Sequence, residues 1–142
     1  MLTEPKIPRK LERIELQYME RRFAAVGTVP VEMATTEEYR REEPADLAWT
    51  PAPVGTRWGA NWQTAWFRGD LELPEGCIGK KVFLRAKTNV ETLFFVDGAA
   101  RGVFDVNHPY RCLALTGQAG HRYHLAFERS EERRVGKECR SR

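Results

Sequence analysis

Residues 64–73 read TAWFRGDLEL, and at this point the periodicity of the chain changes to two. Ala65, Phe67, Leu71 and Leu73 fall on one face, and Thr64, Trp66, Arg68, Asp70 and Glu72 on the other. Successive side chains of a strand point to opposite faces, so the stretch reads as a long strand with one buried side. Pro74-Glu75-Gly76 ends it. In KKVFLRAK (80–87), Val82, Leu84 and Ala86 share a face opposite Phe83, Arg85 and Lys87. ETLFFVDG (91–98) closes on Asp97-Gly98, the strongest short hairpin signal in the chain, and predicts a return strand from about Arg101 to Val106. YRCLAL (110–115) sets Tyr110, Cys112 and Ala114 against Leu113 and Leu115, and TGQAG turns the chain into HRYHLAFE (121–128), where Tyr123, Leu125 and Phe127 align. Short strands with turns every eight to twelve residues or so predict a mainly β fold, an antiparallel β-sandwich or jelly roll.

Upstream the period is helical. Leu11, Ile14, Tyr18, Met19 and Phe23 recur at helical spacing, which predicts a helix over 9–25, with Pro5 and Pro8 before it and Gly27 and Pro30 after it. Thr35-x-x-Glu38 resembles a capping box and predicts a second short helix that stops before Pro44. TPAPVGTR (50–57) reads as an extended loop. The expected organisation is a helical and loop lead-in over 1–58, a sandwich module over 59–128 and a tail over 129–142.

Charge separates the tail from the body. The 142 residues hold 23 basic and 20 acidic side chains, a net charge of +3. The last fourteen residues, RSEERRVGKECRSR, carry six of the basic and three of the acidic ones, so residues 1–128 hold 17 of each. A body without basic excess has little with which to neutralise phosphates, and no nucleic-acid partner is expected of it. Cys77, Cys112 and Cys139 are odd in number and far apart, which is neither a disulfide framework nor a zinc motif. Free thiols fit a reducing cytoplasm. The N-terminus MLTEPKIPRKLERIE has no apolar run, so no signal peptide is expected, and no apolar stretch is long enough to span a membrane.

Few residues stand out as carriers of chemistry. All four tryptophans lie between Trp49 and Trp66, and Trp58, Trp62 and Trp66 are spaced by four. They read either as a platform for a sugar ring or as packing residues, since tryptophan buries a large area. Asp105, Asn107 and His108 form a polar cluster after a strand, either a loop or a ligand contact. His121 and His124 in one strand point to opposite faces and cannot share a metal. A glycosidase needs two carboxyls about 5–9 Å apart across a sugar. Asp70, Glu72, Glu91, Asp97 and Asp105 offer pairs, but no motif selects one. There is no phosphate-binding glycine loop and no nucleophile elbow. On its residues the body reads as a non-catalytic β-module.

One string goes further. Gly55-Thr56-x-Trp58-Gly59, Trp62, Trp66-Phe67-Arg68, Leu73-Pro74, Gly79-Lys80, Glu91 and Phe95-Val96-Asp97-Gly98 occur in order. Over roughly residues 8–128 the chain resembles the N-terminal, non-catalytic domain of α-mannosidases of glycoside hydrolase family 38. The resemblance implies a galactose-binding-like jelly roll, here incomplete, and a parent enzyme that is a zinc-dependent retaining α-mannosidase releasing terminal α-linked mannose. In the family, the strand matching HRYHLAFE is followed by an aromatic-Gly-His stretch, further strands and the catalytic barrel. The zinc ligands and catalytic carboxylates lie in that part. No catalytic or metal residue is therefore expected in this chain, and its expected partner is the catalytic domain of the same parent, with mannosides as the parent's substrate. Expected sugar contacts are Trp58, Trp62, Asp105, Asn107 and His108. A jelly-roll module of a rhamnosidase or β-galactosidase is the alternative. Residues 129–142 resemble the in-frame translation of a short-read sequencing adapter, so the natural sequence is expected to leave off at Glu128.

Overall fold

In a computed structural model of the chain, residues 6–59 and 63–130 are described. They form a helix α1 (Lys6–Arg21) and eight strands: β1 (Glu32–Thr36), β2 (Thr50–Pro51), β3 (Thr64–Glu72), β4 (Val82–Arg85), β5 (Thr92–Val96), β6 (Ala99–Phe104), β7 (Tyr110–Ala114) and β8 (Arg122–Ser130). Six strands make one antiparallel sheet in the order β2-β1-β3-β8-β5-β6, and β4 and β7 pair as a second, smaller sheet. The two sheets face each other as a β-sandwich.

The alternating stretch that opens the module is its central strand. β3 pairs with β8 over nine residues, from Thr64↔Ser130 to Glu72↔Arg122, and with β1 on its other edge. Arg129 and Ser130 are held in this ladder, so the last strand runs two residues past the 59–128 boundary. The Asp97-Gly98 hairpin forms as the sequence predicts. Both residues have positive φ, 50° and 84°, the left-handed pair that a tight hairpin turn requires. The return strand starts earlier than predicted, at Ala99, because the two-residue turn sets Ala99 directly opposite Val96; a bulge between Phe94 and Phe95 shifts the register further along.

Two lead-in expectations need correction. The second helix is absent: Glu32–Thr36 is a strand, paired residue by residue with Thr64–Arg68 of β3. The β-branched Thr35 and Thr36 suit a pleated surface, and five ladder pairs outweigh one weak cap. The capping-box look-alike is a turn at the end of that strand, in which the Glu38 amide donates to Thr36 Oγ1 at 3.0 Å. The first helix ends at Arg21 rather than at residue 25. Phe23 lies beyond it as a tertiary anchor, stacked on Tyr110 at 4.0 Å and edge-on to Phe83 at 4.9 Å. The α1 stripe of Ile7, Leu11, Ile14 and Tyr18 is exposed.

The core lies between the sheets. Leu73, Val82, Phe94, Phe104, Leu113 and Leu125 are buried there, with Phe94 against Phe104 and Phe127 at 5.2 Å each. Gly117 permits a close backbone approach beside this core. A Cβ on it would stand 2.1 Å from the Cys77 carbonyl oxygen, so no larger residue fits without moving the backbone. β4 and β7 cover only part of the large sheet. Beside β4 a cleft of about 1300 Å³ is lined by Phe23, Val29, Phe67, Phe83, Leu84 and Phe127.

Trp66 corrects the simple inside–outside reading of β3. It points away from the core yet is fully buried, because the loop from Glu37 to Trp49 folds over the outer face. Leu47 and Trp49 from that loop pack with Trp66, Phe95, Ala126 and Leu93 as a second small cluster.

Candidate functional site

The residues nominated from sequence fall into two groups. Trp58 is half-buried at the end of β3, edge-on to Phe67 with centroids 6.3 Å apart and under the Arg129 guanidinium at 5.1 Å. Trp62 lies outside the described residues. Asp105, Asn107 and His108 join β6 to β7. The Asp105 carboxylate accepts from the Asn107 and His108 amides at 2.8 Å and from His108 Nδ1 at 2.9 Å. Its acceptors serve its own turn. Desolvation opposes the carboxylate's charge, but these three donors outweigh it and hold its pKa below the ordinary value. The register brings both groups to one end of the sandwich. Arg129, Thr92 and Phe104 form one cross-strand row, so Arg129, over the Trp58 ring, and Phe104, which leads into the Asp105 turn, share one end of the sheet.

A denser polar cluster, which the sequence did not reveal, sits on the outer face of the large sheet. His124 of β8 stands opposite Asp70 of β3 in register. Its Nδ1 is 2.7 Å from Asp70 Oδ1, and its Nε2 is 2.6 Å from Glu43 Oε2 of the covering loop. A neutral imidazole has one N–H and can donate to only one of two carboxylates, whereas the imidazolium donates to both. Burial works to lower the His124 pKa, and the hydrogen bonds and charges of Asp70 and Glu43 outweigh it, so the value is raised. Arg68 adds a second link. Its Nε donates to Glu32 at 3.0 Å, its Nη1 lies 3.9 Å from Glu43, and its guanidinium stacks on Trp49 at 4.1 Å. Glu128, opposite Trp66, is half-buried, and burial pushes its carboxyl above the ordinary range.

This cluster ties the covering loop to the sheet. The imidazole fills the space between Glu43 and Asp70, where a glycosidase would need a sugar between two carboxyls. Its two nitrogens face opposite ways, so the three side chains do not converge on a cation. Among the described residues no three His, Cys, Asp or Glu side chains are placed to hold a metal ion, and a zinc ion does not fit here. No described helix is long and apolar enough to cross a membrane.

Known proteins supply the remaining observation. The family profile described as the jelly-roll domain of α-mannosidase matches residues 19–140. Alpha-mannosidase 2C1 of Mus musculus and that of Homo sapiens are each 36% identical to the chain over 64 residues, which is 45% of this chain and 6% of theirs. The matched stretch is thus a small part of those relatives' length. No solved structure matches the chain.

Proposed function

Because the chain belongs to the family of α-mannosidase jelly-roll domains, we propose that it is the leading, non-catalytic module of a larger α-mannosidase. That parent is of the glycoside hydrolase family 38 type: zinc-dependent, retaining, and acting on terminal non-reducing α-D-mannose. The family match over residues 19–140 carries the reading. The module's task is structural, to pack on and orient the catalytic part of the same polypeptide. Three features support this. Phe67, Phe83 and Phe127 present aromatic rings to one open cleft. Among the described residues β4 has one neighbour, β7, and a large apolar cleft opens beside it. The apolar stripe of α1 is exposed. Zinc and the catalytic carboxylates are assigned to the rest of the parent. Its place is the cytoplasm, in keeping with the free thiols of Cys77 and Cys112. No nucleic-acid role is proposed, since residues 1–128 are charge-balanced.

The adapter origin of residues 129–142 is a separate proposal. A strand ladder is made by backbone groups, so the pairing of Arg129 and Ser130 does not depend on their side chains. The family match runs to residue 140, so protein-level similarity does not decide it. Genomic DNA does. Sequenced through the codon for Glu128, it is expected to continue into an aromatic-Gly-His stretch and then a zinc-binding His-x-Asp, with codons other than those for RSEERRVGKECRSR. A genomic stop soon after Glu128 would overturn the parent enzyme. Genomic codons for Arg129–Arg142 would sink the adapter origin and leave the parent untouched.

A further inference from the structure

We propose that Glu43, His124 and Asp70 form a pH-sensitive clasp, closed while His124 is an imidazolium and released when it becomes neutral, that pins the Glu37–Trp49 loop to the outer face of the sheet. The geometry carries the proposal. Glu43 reaches from the loop to His124 at 2.6 Å, and His124 is held from the other side by Asp70 at 2.7 Å. The clasp joins elements far apart in sequence: Glu43 and His124 are 81 residues apart, and Asp70 and His124 are 54 apart. Of the loop's other charged groups, Arg40 is bonded to Glu38 and Asp46 of the same loop, and Glu37, Arg41 and Glu42 are exposed. Glu43 therefore carries the loop's charged attachment, to His124 and, at 3.9 Å, to Arg68.

Other charged groups face His124 from several elements. From β3 these are Asp70, Arg68 and Glu72. From the β5–β6 turn it is Asp97, whose Oδ1 accepts from the His124 amide at 2.9 Å. From β1 it is Glu32, through Arg68, and from β8 itself Arg122, which pairs with Glu72 at 3.5 Å. Glu128, also on β8, is further along the strand beside Trp66. His124 is then the group that switches. Its folded pKa is raised, so the clasp is fully present below the ordinary imidazole value of about 6.5 and is lost as pH rises through the raised one. Once Asp70 and Glu43 compete for the one N–H of a neutral imidazole, the loop is left with the Leu47 and Trp49 packing, the Arg68 stack and the longer Glu43–Arg68 contact at 3.9 Å. Beneath it lies Trp66, whose indole nitrogen has no hydrogen-bond partner among the described residues. Release turns a covered aromatic face into an accessible one.

The test is amide hydrogen exchange of residues 37–49 in the whole chain from about pH 5.5 to 8.5, corrected for intrinsic rates, with His124 followed by imidazole NMR. The opening equilibrium of the loop should rise with pH by about tenfold for each unit by which the clasp raises the His124 pKa, while β3 and β8 amides stay protected. Glu43→Gln should open the loop at every pH and flatten that dependence, and Asp70→Asn should move the His124 titration downward. Loop protection that does not change with pH in the unmodified chain would overturn the proposal. So would a His124 titration at or below the ordinary value, or a Glu43→Gln loop as protected as the original.

Discussion

Replacing Phe94 by alanine should leave the chain without a cooperative unfolding transition at 25 °C. Phe94 is fully buried on β5, the strand that joins β8 to β6, and faces Phe127 in register. Its ring packs on Phe104 and Phe127 at 5.2 Å each, so truncation opens a hole at the centre of the core. Phe→Ala at such a site costs about 3–5 kcal/mol. A domain of this size holds about 5–15 kcal/mol in total, and this one has an incompletely covered sheet. Urea titration followed by circular dichroism measures the effect. Val54→Ala, on a fully exposed side chain, is the control and should change stability by no more than about 0.5 kcal/mol. A Phe94→Ala chain within about 1 kcal/mol of the original would contradict the core described above.

The second large effect concerns the cleft beside β4. By itself the chain should bind an apolar dye such as anilinonaphthalene sulfonate strongly, melt at low temperature and aggregate on melting. Phe67, Phe83 and Phe127 line about 1300 Å³ that no described residue fills, and the edge of β4 that no described strand pairs offers backbone groups to an extended segment. A single added strand placing three apolar side chains in the cleft would contribute about 1.5–3 kcal/mol for each one buried, before the cost of ordering it. The same residues within the proposed longer α-mannosidase should bind little dye and unfold at a higher temperature. A soluble monomer of this chain with a sharp, reversible transition and no dye binding would show that the sandwich is complete without further strands.

The sandwich was legible wherever the determining interactions are local. Alternation in TAWFRGDLEL, the Asp97-Gly98 turn and the Tyr123, Leu125 and Phe127 face each depend on residues within about ten positions, and each strand formed there, with β6 starting two residues earlier and β8 ending two residues later than the pattern placed them. The lead-in misled where a distant partner decides. Thr35-x-x-Glu38 is consistent with a helix until β3 offers Glu32–Thr36 five ladder pairs. Met19 followed by Phe23 continues a helical period, but Phe23 serves the Tyr110 and Phe83 rings instead. Trp66 sits on the polar side of an alternating strand, and only the loop folded over it explains its burial. The His124 clasp was out of reach for the same reason. Its three residues come from a loop, a central strand and the last strand, and only the β3–β8 register and the loop's path bring them together.

The non-catalytic role is tested most directly by hydrolysis of a chromogenic aryl α-mannoside by the purified chain, with zinc added, beside the enzyme expressed from the intact genomic frame. The longer enzyme should release the aryl group and this chain should not exceed the buffer rate. Zinc-dependent turnover by this chain alone would place the active site within its 142 residues and contradict the assignment of catalysis to the rest of the parent.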